Sequence, residues 1–150
     1  MERTLVVIKP DAVQRGLVGE ITARFERKGL KPIAMKMSAV SDSTARKMYV
    51  VHKGKDFYEP LVAFVTSSPV VAMVLEGRGA IATVREMLGK TNGSDAAPGT
   101  IRGDFALSTR HNLVHGSDSP ASADREIAVF FEAHELLDYT RPMDEWVYER

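Results

Sequence analysis

Short, unbroken apolar runs alternate along this chain with stretches in which apolar residues recur every three or four positions. That pattern predicts a domain of mixed strands and helices. Thr4–Lys9 (TLVVIK) is apolar and β-branched, is closed by Pro10-Asp11, and predicts a buried strand. From Leu17 to Lys28, the residues Leu17, Ile21 and Phe25 share one helical face, with Gly29 as the stop. Pro32–Val40 (PIAMKMSAV) partly alternates and predicts a second strand. Ser41-Asp42-Ser43 offers N-caps for a helix from about Thr44 to Val51, and Glu59–Thr66 predicts another short helix. Pro69–Leu75 (PVVAMVL) carries the strongest strand signal, ended by Gly77 and Gly79. Ala80, Ile81, Val84, Met87 and Leu88 then form one helical stripe, stopped by Gly89.

The pattern changes between Lys90 and Arg110. The stretch GKTNGSDAAPGTIRGDF has little periodicity, and a structureless segment of that length inside a domain is usually functional or disordered. Leu113-Val114-His115 predicts a short strand. Ser119-Pro120 is a good helix start, because proline suits the first helical position. Ile127, Phe130 and Phe131 share a helical face, with a strand as the alternative for that segment. The order strand–helix–strand–helices–strand–helix–long loop–strand resembles the split βαβ arrangement of ferredoxin-like folds, an α+β sandwich with a four-stranded antiparallel sheet and helices on one face. No repeat or linker divides the chain, so residues 1–150 are expected to form a single domain.

Composition narrows the functional classes. Hydrophobic residues make up 44% of the 150, enough for a core without disulfide or metal staples. There are no cysteines, which excludes disulfides and thiolate metal sites. The formal net charge is +0, which argues against nucleic acid as the main partner. The N-terminal stretch is a poor signal peptide, and no run approaches the roughly 18 apolar residues of a membrane helix. A soluble, cytoplasmic protein is expected.

The chemistry gathers around His115. His111 and His115 stand four apart, but HNLVH lacks the glutamate of the helical zinc signature, and Gly116-Ser117-Asp118-Ser119-Pro120 would not continue a helix. As a nucleophile, an imidazole needs a partner to hold one ring nitrogen while the other attacks. Glu126 lies about two turns into the predicted helix and is placed to reach back to His115. Ser117 can brace that carboxylate, and Gly116 gives a substrate room to approach the backbone. On this segment alone, a solvated loop histidine beside a solvated helix glutamate reads equally well. Lys9, Arg85, Arg102 and Thr91 add groups that bind phosphate oxygens, the equipment of phosphoryl transfer. The chain lacks both the P-loop signature and the protein-kinase set. Besides an enzyme, a nucleotide- or nucleic-acid-binding module and a plain interaction domain are possible readings. The last leaves the concurrence of Lys9, Arg85, Arg102 and His115 unexplained.

Three long blocks, ERTLVVIKPDAVQRGLVGEI, TNGSDAAPGTIRGDF and NLVHGSDS, closely resemble the nucleoside diphosphate kinase family, and the likeness extends to DEWVYE near the C-terminus. The resemblance implies transfer of the terminal phosphate of a nucleoside triphosphate, typically ATP, to a nucleoside diphosphate. It implies a ping-pong mechanism through a phosphohistidine on His115, formed at the ring nitrogen nearer the backbone, Nδ1. Glu126 matches the residue that holds the other ring nitrogen, and Ser117 the one that braces it. Lys9 matches a contact to the phosphate and the ribose 3′-hydroxyl, and Tyr49 a phenol near the histidine. Arg85, Thr91 and Arg102 match the phosphate clamp, Asn112 a ribose contact, and Phe57 the platform on which the base stacks. Mg²⁺ is the implied cofactor, carried mainly by the phosphates, with no direct protein ligand and Asp118 at most a contact through water. A closed homo-oligomer is implied, and the extended C-terminus favours a hexamer over a tetramer.

The departures from the family pattern are few. Ala12 stands where glycine is common, Thr109-Arg110-His111 precedes Asn112 where Gly-Arg is commoner, and Gly93 replaces a frequent proline. None removes a matched catalytic residue. Gly93 bears on stability and assembly more than on chemistry.

Overall fold

Leu5, Val6, Val7 and Ile8, the unbroken apolar run near the N-terminus, are all fully buried in β1 (Glu2–Ile8). A strand that is apolar at every position needs cover on both of its faces. The computed structural model, which describes residues 1–149, provides that cover. Three further strands, β2 (Lys31–Ser38), β3 (Val70–Gly77) and β4 (Val114–Gly116), join β1 in the order β2-β3-β1-β4, antiparallel at every pairing. The helices are α1 (Pro10–Gln14), α2 (Val18–Lys28), α3 (Asp42–Met48), α4 (Tyr58–Val65), α5 (Ala80–Leu88), α6 (Ile101–Phe105), α7 (Pro120–Phe130) and α8 (Asp144–Val147). Because β3 lies between β1 and β2, and β1 between β3 and β4, two split βαβ units interleave.

Alternation along β1 divides the core in two. Leu5 and Val7 face one layer, where Met48 of α3, Val62 and Val65 of α4 and Ile127 and Phe130 of α7 pack. Val6 and Ile8 face the other, against Phe25 of α2, Val84 and Leu88 of α5 and Ile101 of α6. Each such fully buried side chain contributes about 1.5–3 kcal/mol. The expected four-stranded antiparallel sheet is present, but helices cover both faces rather than one.

Local signals explain most of the element boundaries. Ser41, Thr100 and Ser119 each accept a backbone N–H from the first turn of α3, α6 and α7, at 3.1, 3.0 and 3.1 Å. Helix is the right reading for the segment ending at Phe130, while Phe131 is already extended, although still buried in the core. Three helices were not anticipated, the third being the short α8 near the C-terminus. Pro10-Asp11, read as the end of a strand, also opens α1, with Pro10 in its first turn. The supposedly structureless segment from 90 to 110 contains a short 3₁₀ turn at Gly93–Asp95 and all of α6. Gly93 fits its own surroundings. Its N–H donates to the Ser108 carbonyl at 3.2 Å, and a Cβ there would come within 2.5 Å of the Ala106 carbonyl carbon.

Candidate active site

Register places the histidine. In the antiparallel pair of β1 and β4, His115 stands opposite Val7, Val114 opposite Ile8 and Gly116 opposite Val6. Residues directly opposite share a face, so His115 faces the layer of α3, α4 and α7, and a slip of one residue would turn it under α5. Ser117, two residues on, shares that face; its N–H donates to the Leu5 carbonyl at 3.1 Å. Gly116 faces the opposite way, and a Cβ on it would meet Val84 and Leu88 of α5 at 3.0 and 3.1 Å. The clearance expected there for a substrate is used by a helix.

Glu126, on α7, is buried and receives both neighbours. His115 Nε2 and Glu126 Oε1 are 2.7 Å apart, and the Ser117 hydroxyl donates to the same oxygen at 2.8 Å. Arg125 approaches the other carboxylate oxygen at 3.4 Å, and also donates to the carbonyls of Lys47 and Met48 at the end of α3. Burial works to raise the Glu126 carboxyl, but the hydrogen bond and charge of His115, the Ser117 hydroxyl and the Arg125 charge outweigh it and hold it below the ordinary range. An ionised carboxylate only accepts, so Nε2 carries a proton, and in the neutral ring Nδ1 keeps its lone pair. Tyr49, the residue after α3, sets its ring edge-on to His115 at 6.1 Å. Its buried hydroxyl has no partner among the described residues, and burial followed by the Glu126 charge pushes its pKa up, so the phenol stays a donor.

A γ-turn delivers β4 to this position. The Val114 N–H donates to the Asn112 carbonyl at 2.9 Å across Leu113, whose φ is +76°. Such turns are rare and strained, at a cost of about 1–3 kcal/mol. Full burial of the Leu113 side chain, an N–H taken by Asp11 Oδ2 at 3.1 Å and a carbonyl taken by the Lys9 N–H at 2.8 Å hold it in place. The turn presents the Asn112 amide, which accepts from Lys9 Nζ at 2.8 Å and donates to the Thr91 carbonyl at 3.0 Å. Lys9 itself is buried. Desolvation, then the Arg102 charge, lowers its pKa to about 8, with Asp11 opposing.

Two arginines close the outer edge of β4, whose carbonyls at 114 and 116 face away from β1. Arg85 donates to the Gly116 carbonyl at 3.2 Å. Arg102 donates to those of Val114, Asn112 and Gly89 at 2.6, 3.1 and 3.1 Å. Three of its five N–H groups therefore brace the backbone, and two are left for another acceptor. Burial, then the Arg85 charge, lowers its pKa to about 10. Paired edge carbonyls also protect the sheet from further strand pairing.

These groups border one cleft of about 590 Å³. Lys9, Tyr49, Phe57, Arg85, Thr91, Arg102, Asn112, His115, Asp118 and Glu126 all line it, with Ser117 directly behind Glu126. The sequence reading thus selected residues that the fold brings together, while His111 lies outside the cleft against Phe64, ring centroids 5.2 Å apart. It missed His52 and Arg125. The His52 ring packs edge-on to Phe57 at 5.1 Å and parallel to Tyr49 at 6.3 Å. Burial and the charges of Lys55 and His115 lower its pKa. Arg125 carries a faint signal in standing next to Glu126. The Leu113 turn carries none, since leucine is not a γ-turn residue.

Ionised Asp118, whose pKa is lowered first by the Ser122 hydroxyl, shares the cleft with Glu126, and among the described residues no other carboxylate lines it. Glu126 is committed to His115. This donor set fits a divalent ion that arrives on phosphates and meets Asp118 through water, as magnesium commonly does. Among the described residues, no three His, Asp or Glu are grouped to hold a metal, and no helix is long and apolar enough to cross a membrane.

Almost the whole chain aligns with named relatives. It is 58% identical over 149 residues to a nucleoside diphosphate kinase of Pelotomaculum thermopropionicum, covering 99% of this chain and 100% of that one. It is 54% identical to the enzyme of Archaeoglobus fulgidus, covering 99% of each. The fold superimposes on the halophilic nucleoside diphosphate kinase of Halobacterium salinarum, solved in complex with CDP, with a TM-score of 0.97, 49% identity and 99% of each chain covered. The nucleoside diphosphate kinase family profile matches residues 2–136. The chain belongs to the nucleoside diphosphate kinase family, enzymes that transfer phosphate between nucleotides.

Proposed function

We propose that the transfer proceeds in two half-reactions through His115. In the first, the Nδ1 lone pair attacks the terminal phosphorus of a nucleoside triphosphate, typically ATP. An N–P bond forms, the bond from that phosphorus to its bridging oxygen breaks, and a nucleoside diphosphate leaves. In the second, a terminal phosphate oxygen of another nucleoside diphosphate attacks the same phosphorus, and the N–P bond breaks. What carries this reading is the 2.7 Å contact of Nε2 with Glu126, which occupies one ring nitrogen and leaves the other with its lone pair. Glu126 and Ser117 orient the ring and stabilise the positive charge it gains on attack.

Lys9, Arg85, Arg102 and Thr91 would hold the phosphate oxygens, and the unpartnered Tyr49 hydroxyl would find its acceptor there. Asn112 keeps Lys9 in place and contacts the ribose with the hydrogen-bonding capacity that remains to it. Phe57, half exposed on the cleft wall, would stack on the base, in the role suited to the CDP of the Halobacterium relative. Mg²⁺ bound with the nucleotide would neutralise phosphate charge, and Asp118 would hold it through water. A cytoplasmic homohexamer is the assembly we favour. The exposed Leu107 and Trp146, in the long loop and near the C-terminus, are apolar side chains that such an assembly would cover.

Incubation with γ-labelled ATP and Mg²⁺, followed by mapping of the label, tests the mechanism. Acid-labile, alkali-stable label on His115 is expected, and its loss together with all exchange activity in His115→Ala. Full exchange activity in that variant would sink the proposal.

A further inference from the structure

The segment Thr109-Arg110-His111, where the family commonly carries Gly-Arg, borders the cleft through Thr109 and Arg110. Its position is fixed by the His111 ring, packed 5.2 Å from Phe64, and by the His111 N–H on the Ser108 hydroxyl at 3.1 Å. Phe64 belongs to α4, the helix that starts directly after Phe57 and contributes Pro60 and Leu61 to the same cleft. The segment therefore borders the cleft beside α4, the wall that Phe57 opens and on which the base is placed.

Four arginines line the cleft, and three are held. Arg85 is on the Gly116 carbonyl, Arg102 on three carbonyls, and Arg125 on Glu126 and the end of α3. Among the described residues, nothing forms a hydrogen bond or ion pair with the Arg110 guanidinium. A free, planar group that only donates hydrogen bonds thus borders the place where a base would lie.

We infer that Arg110 reads the edge of the base and biases this enzyme toward guanine nucleotides. This rests on the reading of the Phe57 end as the base site. Guanine presents two adjacent acceptors, N7 and O6, which a guanidinium meets as a fork. Adenine sets an amino donor beside N7, and cytosine offers an amino donor on its corresponding edge, so neither accepts both N–H groups. Because Arg110 is exposed, the bias is set at the low end for such a pair, about five- to tenfold.

The test measures kcat/KM with GDP and with ADP as acceptors from one common donor, in the wild type and in Arg110→Ala, Arg110→Lys and Phe57→Ala. Among the described residues, Arg110→Ala removes no intramolecular hydrogen bond or ion pair, so folding is expected to survive. The ratio of GDP to ADP should fall about five- to tenfold through the KM for GDP, and lysine, which can donate to N7 and O6 but without the rigid planar fork, should restore it only in part. Equal losses with both acceptors, or no loss with either, would overturn the inference. Phe57→Ala separates the two levels. A rise in KM for every acceptor upholds the base site whatever Arg110 does, and unchanged KM values for all would overturn the base site itself.

Discussion

At the His115 end of the cleft Glu126, Asn112 and Arg102 are each gripped from two or three sides, whereas at the Phe57 end the side chains lie open. Glu126 is buried beneath His115, Ser117 and Arg125, Asn112 ties Lys9 to Thr91, and Arg102 spends three N–H groups on backbone carbonyls. Phe57, by contrast, is 49% exposed and meets His52 edge-on, while His52 Nδ1 has no partner among the described residues. The difference follows what each end has to fix. Phosphoryl transfer requires attacking and leaving atoms in line, so its surroundings are pre-organised and strain such as the Leu113 turn is tolerated. A base that varies from one substrate to the next is better served by an open aromatic face.

Breaking the closed end at Glu126 should have the largest effect short of losing His115. With Glu126→Ala nothing fixes the proton on Nε2, and the ring loses the tautomer that aims its lone pair at phosphorus. Loss of a tautomer-setting carboxylate elsewhere lowers kcat by about 10⁴-fold, so a fall on the order of 10³-fold is expected here, with nucleotide affinity little changed. A change in KM alone, with kcat intact, would mean that Glu126 does not orient the ring.

Lys9→Met comes next, at about 10²-fold in kcat, the scale of one charge-stabilising donor. Its signature lies in the pH dependence. Folded Lys9 loses its proton near pH 8, while an unfolded lysine keeps it to about 10.4. Between those values the unfolded chain binds more protons, so this residue makes stability rise with pH across that window. Phosphate affinity moves the other way, weakening as Lys9 discharges above about pH 8. Urea titrations and nucleotide KM values from pH 7 to 10 should show both trends in the wild type, and both reduced in Lys9→Met. Identical pH profiles in the two proteins would show that Lys9 does not titrate in this range.

How much of this was legible in the sequence divides along the same line. The strands and most helices were readable because β1, β3, α2 and α5 carry their periodicity openly, and Ser119-Pro120 marks its helix by its own chemistry. The layers on both faces were implicit in the β1 run, which has no polar position to turn toward water. α6 was hidden because five residues make too short a window for periodicity; its amphipathic side, Ile101, matters only through long-range packing against α5. For the site, the pairing of His115 with Glu126 followed from helix geometry but stayed ambiguous until the family likeness was weighed. Nothing local marked Leu113 as the centre of a γ-turn or Arg102 as a brace for β4, since both roles depend on partners remote in the sequence.

The smallest effect is expected at the open end, and its uniformity matters more than its size. Stacking of a base on an aromatic ring contributes about 1–3 kcal/mol, and a ring half exposed to water belongs at the bottom of that range. Phe57→Ala should therefore raise KM roughly three- to tenfold and leave kcat nearly unchanged, because the ring touches neither the phosphorus nor the imidazole. The factor should be similar for purine and pyrimidine diphosphates, since each has a π-face and none is read by the ring's edge. Steady-state kinetics with ADP, GDP, CDP and dTDP on the same preparation measure it. A loss confined to purines would mean that overlap area, not mere stacking, governs the open end. A fall in kcat would mean that Phe57 also positions the phosphates, and that the two ends are mechanically coupled through the contacts of His52 with Tyr49 and of Tyr49 with His115.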